Sequence, residues 1–204
     1  AADDRGALTI WRQPDPMRMY VMGIDSGEGT QGGDPGSVSV IDLETGEQVA
    51  EYNEIREPWS FGRLCACLGW LYNGAYAMPE MNGPGMTTFQ AMVQAGYHMI
   101  GRRPSFDTAG RQQTVKLGWH TNVNTKPLII NAIREQLAVT EEGAKINSKE
   151  LCREMLAFQV NERGAYETPS GKHDDRIISW GIALLARRDA LHKGLDDEVP
   201  QLEP

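Results

Sequence analysis

Three acidic stations stand out for the chemistry they permit. Asp25 closes the apolar run of residues 20–24 and is followed by Gly27, Gly29, Gly32 and Gly33. Glu80 closes the short run Ala75-Tyr-Ala-Met-Pro79 and is followed by Asn82-Gly-Pro-Gly85. Asp174 and Asp175 stand together at the head of an apolar helical pattern. An acid at the end of a buried strand has its backbone fixed by the sheet while its side chain faces the crevice above. A carboxylate there is costly unless it is paired or bound to a cation. Glycines beside it let another chain or a ligand approach the backbone closely.

Ends of adjacent strands, and of a helix packed on them, can converge. Three or four carboxylates in one crevice repel each other unless cations sit between them. Hard oxygen ligands favour Mg²⁺ or Mn²⁺ over zinc. Two such ions form a clamp for in-line displacement at phosphorus, one activating the attacking water and the other holding the leaving oxygen. Asp25 is expected to serve both ions, with Glu80 and Asp174 or Asp175 flanking. On a helical wheel, Ile177, Ile178, Gly181, Ile182, Leu184 and Leu185 form the apolar arc. That wheel sets Asp174 near the middle of the arc and Asp175 about 100° away.

The elements that would position these acids follow from pattern. Residues 1–19 lack periodicity and read as a lead-in, with the first structured element at Tyr20. The chain opens on Ala rather than Met, which suggests processing or a piece cut from something longer. Residues 37–43 and 48–55 alternate like strands around the turn Glu44-Thr-Gly-Glu47, so an antiparallel meander follows Asp25. A helix is expected over 59–76, with Phe61, Leu64, Cys65, Leu68 and Leu71 at helical spacing. Another is expected over 86–96, and a short strand over 97–100. The stretch 102–118 is basic and poorly periodic. Helices are expected over 124–137 and 148–156, the latter with Ser148 as N-cap. A hairpin spans Glu162-Arg-Gly164, and the last helix runs from Lys172 to about Leu191. Trp59, Trp70, Trp119 and Trp180 read as core by spacing. The fold class is therefore α/β: a mixed sheet, an antiparallel meander followed by strand–helix–strand units, with helices on both faces. The domain covers residues 20–193, and the acidic, proline-bearing residues 194–204 read as a flexible tail.

At 204 residues the chain is long enough to bury a real core. Its three cysteines, Cys65, Cys67 and Cys152, are odd in number and lack a zinc-ligand spacing, which fits a reducing, intracellular setting. No apolar run reaches the length of a membrane span, so no membrane partner is expected. The net charge of −8 excludes coating of nucleic acid by bulk charge but leaves room for a local basic groove.

Taken together, Gly23-Ile-Asp-Ser-Gly-Glu-Gly29, Pro79-Glu-Met-Asn-Gly-Pro-Gly85, Gly118-Trp-His-Thr-Asn122 with Thr125-Lys-Pro127, and Gly171-Lys-His-Asp-Asp175 resemble the nuclease domain of phage large terminases. The resemblance runs from about Tyr20 to Ala190. It implies an RNase H-like, retroviral integrase-type fold. The implied activity is that of a metal-dependent endonuclease cutting concatemeric viral DNA during genome packaging, in the host cell cytoplasm. Asp25, Glu80, Asp174 and Asp175 then match the metal-binding acids. The implied partners are double-stranded DNA, a packaging ATPase domain, a portal and a small terminase. No Gly-x4-Gly-Lys-[Ser/Thr] stretch occurs, so the ATPase domain of that family is absent from this chain.

Around these acids, His173 and Asp34 are accessory candidates for holding a metal or steering a water. Arg102, Arg103, Arg111, Lys116, Lys126 and Lys172 are candidates for DNA-backbone contact, and His120 lies in the same motif as Lys126. Two other enzyme readings stay open at this level. One is a different RNase H-like nuclease such as a junction resolvase. The other is a sugar-kinase or actin-type ATP site, whose Asp-x-Gly-x-Gly opening Asp25–Gly29 matches locally. A docking module that keeps an inactive fold would lack an acid, and none is missing.

Overall fold

Two-residue alternation divides the central strands between two cores. The computed structural model describes residues 6–106, 113–138, 145–160, 166–169 and 173–193. In its first core strand, β2 (Tyr20–Asp25), Tyr20, Met22 and Ile24 face one cluster of buried side chains and Val21 faces the other. β3 (Gly36–Asp42) and β4 (Gln48–Glu54) continue as an antiparallel meander. β5 (Tyr76–Pro79) lies parallel to β2 on its other side. A further strand, β1 (Leu8–Ile10), pairs antiparallel with β4, so the sheet order is β1-β4-β3-β2-β5. Parallel bridges from Ala77 to Ile100 and from Glu80 to Trp119 extend the pairing beyond β5.

One face carries α1 (Pro58–Leu71) and α2 (Gly85–Gln94), which bury Phe61, Cys65, Leu68 and Met92 with Met22, Ile24, Val38 and Val40. The Glu57 carboxylate caps α1 by accepting from the backbone N–H groups of Trp59 and Ser60. The other face carries α5 (Asp175–Lys193), backed by α3 (Lys126–Ala138) and α4 (Lys149–Ala157). Close approach of α5 to the sheet depends on Gly23. A Cβ there would lie 2.0 Å from the Ser179 carbonyl oxygen and 2.3 Å from the Ala183 nitrogen. Ser37 of β3 and Ser179 of α5 share a buried hydroxyl contact at 2.9 Å along the same seam. Helices therefore cover both faces of a mixed sheet, the expected α/β class.

Several local expectations give way to tertiary context. The lead-in is not structureless: β1 forms on the sheet edge, a pairing that three residues of sequence cannot signal. The first helix stops at Leu71, because Asn73 (φ 57°) and Gly74 (φ 75°) turn the chain into β5. Residues 97–100 contribute a single bridge rather than a strand. The basic stretch instead forms an antiparallel hairpin, β6 (Arg102–Phe106) with β7 (Gln113–Leu117). Trp119 and Trp180 are core, but Trp59 and Trp70 lie on the outer side of α1, 37% and 50% exposed. Ser148 caps α4 by accepting from the Leu151 N–H, and β8 (Gln159–Val160) pairs with β9 (Tyr166–Glu167) as the expected hairpin. The tail at 194–204 lies outside the described residues. Among the described residues, no helix is long and apolar enough to cross a membrane.

Candidate metal centre

Strand parity places the first two acids. Val21 and Gly23 face α5, so Asp25, two residues on, faces the same side. Tyr76 and Met78 of β5 belong to the same cluster as α5, which carries Glu80 to that side as well. The parallel register pairs Ile24 with Pro79, and the Glu80 N–H donates to the Ile24 carbonyl at 2.8 Å. Asp25 and Glu80 are thus neighbours at the C-terminal ends of adjacent parallel strands, where open α/β sheets present their crevices. The glycines beside them serve the chain's own backbone. A Cβ at Gly27 would lie 2.0 Å from the Asp34 carbonyl oxygen, one at Gly29 2.6 Å from Glu57 Cα, and one at Gly85 1.8 Å from the Glu80 carbonyl oxygen. At Gly27 and Gly29 the loop after β2 is packed against its own return and against the start of α1.

Burial is the first cause that holds the Asp25 carboxyl well above the usual carboxylate range. The hydrogen bond to the Glu80 carboxyl and the charges of Glu80, Asp175 and Asp174 add to it. Asp175, in the first turn of α5, is 7% exposed, and its Oδ2 is buried without a hydrogen-bond partner. Burial first, and then the charge of Asp34, push its pKa up to about 7 against the opposing pull of His173.

The wheel assignment of the two aspartates is corrected. Asp174 precedes α5, its carbonyl accepting the Ile178 N–H at 2.9 Å, so it stands at the N-cap where helical angles do not apply. Its side chain is 30% exposed and pairs with Lys126 Nζ at 3.3 Å. Asp175 is the inward one. The apolar arc misled because α5 is buried on two sides, by the sheet and by α3, and so has no single inner direction.

Beside Asp175, one oxygen each of Asp34 and Asp175 and a ring nitrogen of His173 lie within 4.8 Å of one another. His173 Nδ1 is 3.1 Å from Asp34 Oδ1 and 3.5 Å from Asp175 Oδ2. Among the described residues no other group of three or more His, Cys, Asp or Glu converges so tightly. A buried carboxylate oxygen without a donor, facing oxygens and one imidazole nitrogen, fits a divalent cation.

The other candidates sort by position. Arg102 is exposed at the start of β6 and Lys116 is exposed near the end of β7. Arg103 lies between them on β6 by backbone, while Arg111 and Lys172 fall outside the described residues. His120 gives its carbonyl to the Thr125 hydroxyl at 2.6 Å.

Sequence reasoning missed the support beneath the acids. Glu154 of α4 accepts the Arg176 N–H at 3.1 Å and pairs with the Arg176 guanidinium at 2.6 Å; the guanidinium also meets Glu51 of β4 at 3.0 Å. The signal was present only as Arg176 beside two aspartates, with its partners 22 and 125 residues away.

The meander, the parallel strand beside it and the helix lying across them define an RNase H-like α/β fold. It is the fold of the phage large terminase nuclease domain. The large terminase nuclease of thermophilic phage G20c with bound magnesium superposes with a TM-score of 0.67 at 18% identity, over 90% of this chain and 89% of that one. The same nuclease with bound cobalt gives 0.66 at 18% identity over the same shares. The Thermus phage P74-26 large terminase nuclease domain gives 0.62 at 19% identity, over 89% of this chain and 86% of that one. No protein-family model matches the sequence, and no curated protein matches it.

Proposed function

We propose that this chain is a divalent-metal-dependent DNA endonuclease of the large-terminase type, which cuts concatemeric viral DNA during genome packaging. The observation that carries the reading is the acid set itself. Asp25 and Glu80 stand side by side at adjacent parallel strand ends, with Asp174 and Asp175 in electrostatic reach and a buried Asp175 oxygen without a hydrogen-bond partner. The metal-bound nucleases that share the fold support it.

Asp25, Glu80, Asp174 and Asp175 would hold the cations, with Asp34 and His173 as accessory groups. Mg²⁺ or Mn²⁺, two ions in this reading, supply a lowered pKa for water and stabilisation of the charge that develops on the phosphate. The chain's own contribution is positional. The sheet fixes Asp25 and Glu80, α5 fixes Asp174 and Asp175, and the acid cluster admits a phosphate only once its charge is neutralised. Arg102, Arg103, Arg111, Lys116, Lys126 and Lys172 would bind the DNA backbone. A packaging ATPase domain, a portal and a small terminase would be its partners, in the cytoplasm of the host.

The test is plasmid cleavage with Mg²⁺, Mn²⁺ or excess chelator. Nicking and linearisation with either metal and none in chelator is the expected result. Cleavage that persists in chelator overturns the metal mechanism. Strong preference for four-way junctions over plasmid moves the assignment to a junction resolvase.

A further inference from the structure

We infer that Lys126 is a built-in counter-cation of the acid cluster: it holds Asp174 until a divalent ion arrives and then serves the DNA phosphate. The inference rests on the metal and DNA reading above and assigns Lys126 two successive partners. Lys126 Nζ lies 3.3 Å from Asp174 Oδ2 and 5.8 Å above the Phe158 ring. Among the described residues, it is the one cation recorded in an ion pair with Asp174.

The base of this side chain is tied to the strand that ends at Glu80. The Lys126 N–H donates to the Asn122 carbonyl at 2.9 Å, at the first residue of α3. In the same turn Thr121 is stitched to Asn82, with Asn82 Nδ2 on the Thr121 carbonyl at 2.7 Å and the Thr121 N–H on Asn82 Oδ1 at 3.1 Å. Asn82 lies two residues beyond Glu80. The backbone of Lys126 is therefore held relative to the acids, while its four-carbon stem leaves the ammonium free to swing.

The pair is built to be exchanged. Both side chains are 30% exposed, the contact is single rather than bidentate, and pairs of this kind are weak. A divalent ion on Asp174 carries twice the charge, so it displaces the ammonium and repels it from the site. The Phe158 face keeps the displaced ammonium nearby through cation–π attraction. There it meets the phosphate that the same metal attracts. Metal binding would thus convert Lys126 from a competitor of the cation into a contact for the substrate.

The experiment pairs Lys126→Met with Lys126→Arg, both verified as folded by melting. Mn²⁺ affinity is measured by calorimetry without DNA, and duplex affinity in Ca²⁺ is measured across a salt series. Lys126→Met should bind Mn²⁺ at least about threefold tighter, because the internal competitor is gone. Its log–log salt slope for DNA should be shallower by about one unit, the loss of one phosphate contact. Lys126→Arg should stay close to wild type on both readings. A residue that only caps α3 or packs on Phe158 predicts the opposite sign for Mn²⁺. Unchanged or weaker Mn²⁺ affinity in Lys126→Met, or an unchanged slope, overturns the inference alone. Wild type that binds no Mn²⁺ overturns the metal reading and the inference with it. Should Lys126→Met fail to fold, Lys126→Gln carries the same test.

Discussion

Asp175 has a carboxylate that the fold would rather keep protonated. Its folded pKa near 7 lies above the ordinary value of 3.8, so without metal the folded state binds more protons than the unfolded one. Stability from this group is fully present below the ordinary carboxylate pKa and is lost as pH rises through about 7. Asp25 shifts the same way. In chelator the melting temperature should therefore fall between pH 5 and pH 8, by an amount equivalent to on the order of 2 kcal/mol. Asp175→Asn should flatten that dependence and melt above wild type at pH 8. It should also lose most of the stabilisation that Mn²⁺ gives the wild type, since a ligand that binds only the folded state stabilises by mass action. Melting curves at several pH values, with and without Mn²⁺, check this, and a wild-type curve that rises with pH in chelator would refute it. For cleavage, Asp175→Ala should be at least as damaging as Asp174→Ala. That is the reverse of what a helical wheel suggests. The wheel assumes helical angles before the helix has begun and a single buried face where α5 has two.

At the scale of elements, two features set where α5 lies. The first is the Gly23 seam. Alanine there needs no unusual backbone angle, so its cost is purely steric: the new methyl meets backbone atoms of α5 that cannot rotate away. Gly23→Ala should destabilise by about 2 kcal/mol or more, at the upper end of overpacking effects. Urea unfolding measures this, and Mn²⁺ affinity should fall with it because α5 carries Asp175 and its N-cap is Asp174. The second is the Glu154–Arg176–Glu51 triad, with side chains 9–20% exposed. Glu154→Ala leaves the guanidinium with Glu51 alone and the Arg176 N–H without its acceptor, and should cost about 2 kcal/mol. Replacing Glu51, Glu154 and Arg176 together with apolar residues of similar volume should recover much of the loss, and denaturation of the single and triple variants decides it. Neither feature is legible in the chain, because a glycine or a salt bridge acquires meaning only from an element far away in sequence. What was legible depends on local pattern: the apolar run ending in Asp25, the meander, the Ser148 cap and the β8–β9 pairing. β1 escaped notice because a short edge strand is chosen by the sheet it joins, and β6–β7 because its two basic, poorly periodic strands pair with each other in a sheet of their own. Trp59 and Trp70 were misjudged because helical spacing identifies a stripe but not whether anything covers it.

For the whole molecule, on the proposed reading, a net charge of −8 stands against a polyanionic substrate. Binding must rely on the few basic side chains near the hairpin and α3, and on cations that quench the acid cluster. Duplex affinity should therefore depend on divalent metal as well as fall with monovalent salt, with a slope that reflects only a handful of phosphate contacts. A filter-binding series at fixed ionic strength, with Mg²⁺ exchanged for Na⁺, separates the two effects; equal affinity in both would contradict it. The class of the sheet was legible from sequence, and Asp34, His173 and Asp175 were each candidates there; only their convergence within 4.8 Å required the fold.

The seam between β2–β3 and α5 also governs when the acid set is assembled. Ser37 and Ser179, which touch across it, are 142 residues apart. Contacts of such long range form late, since the chain between them must be closed first. During synthesis Asp25 and Glu80 leave the ribosome well before Asp174 and Asp175. The nascent chain therefore holds half of its acid set and has no helix to lay against Gly23. On the proposed reading, the full acid set comes together only when the last helix docks against Gly23.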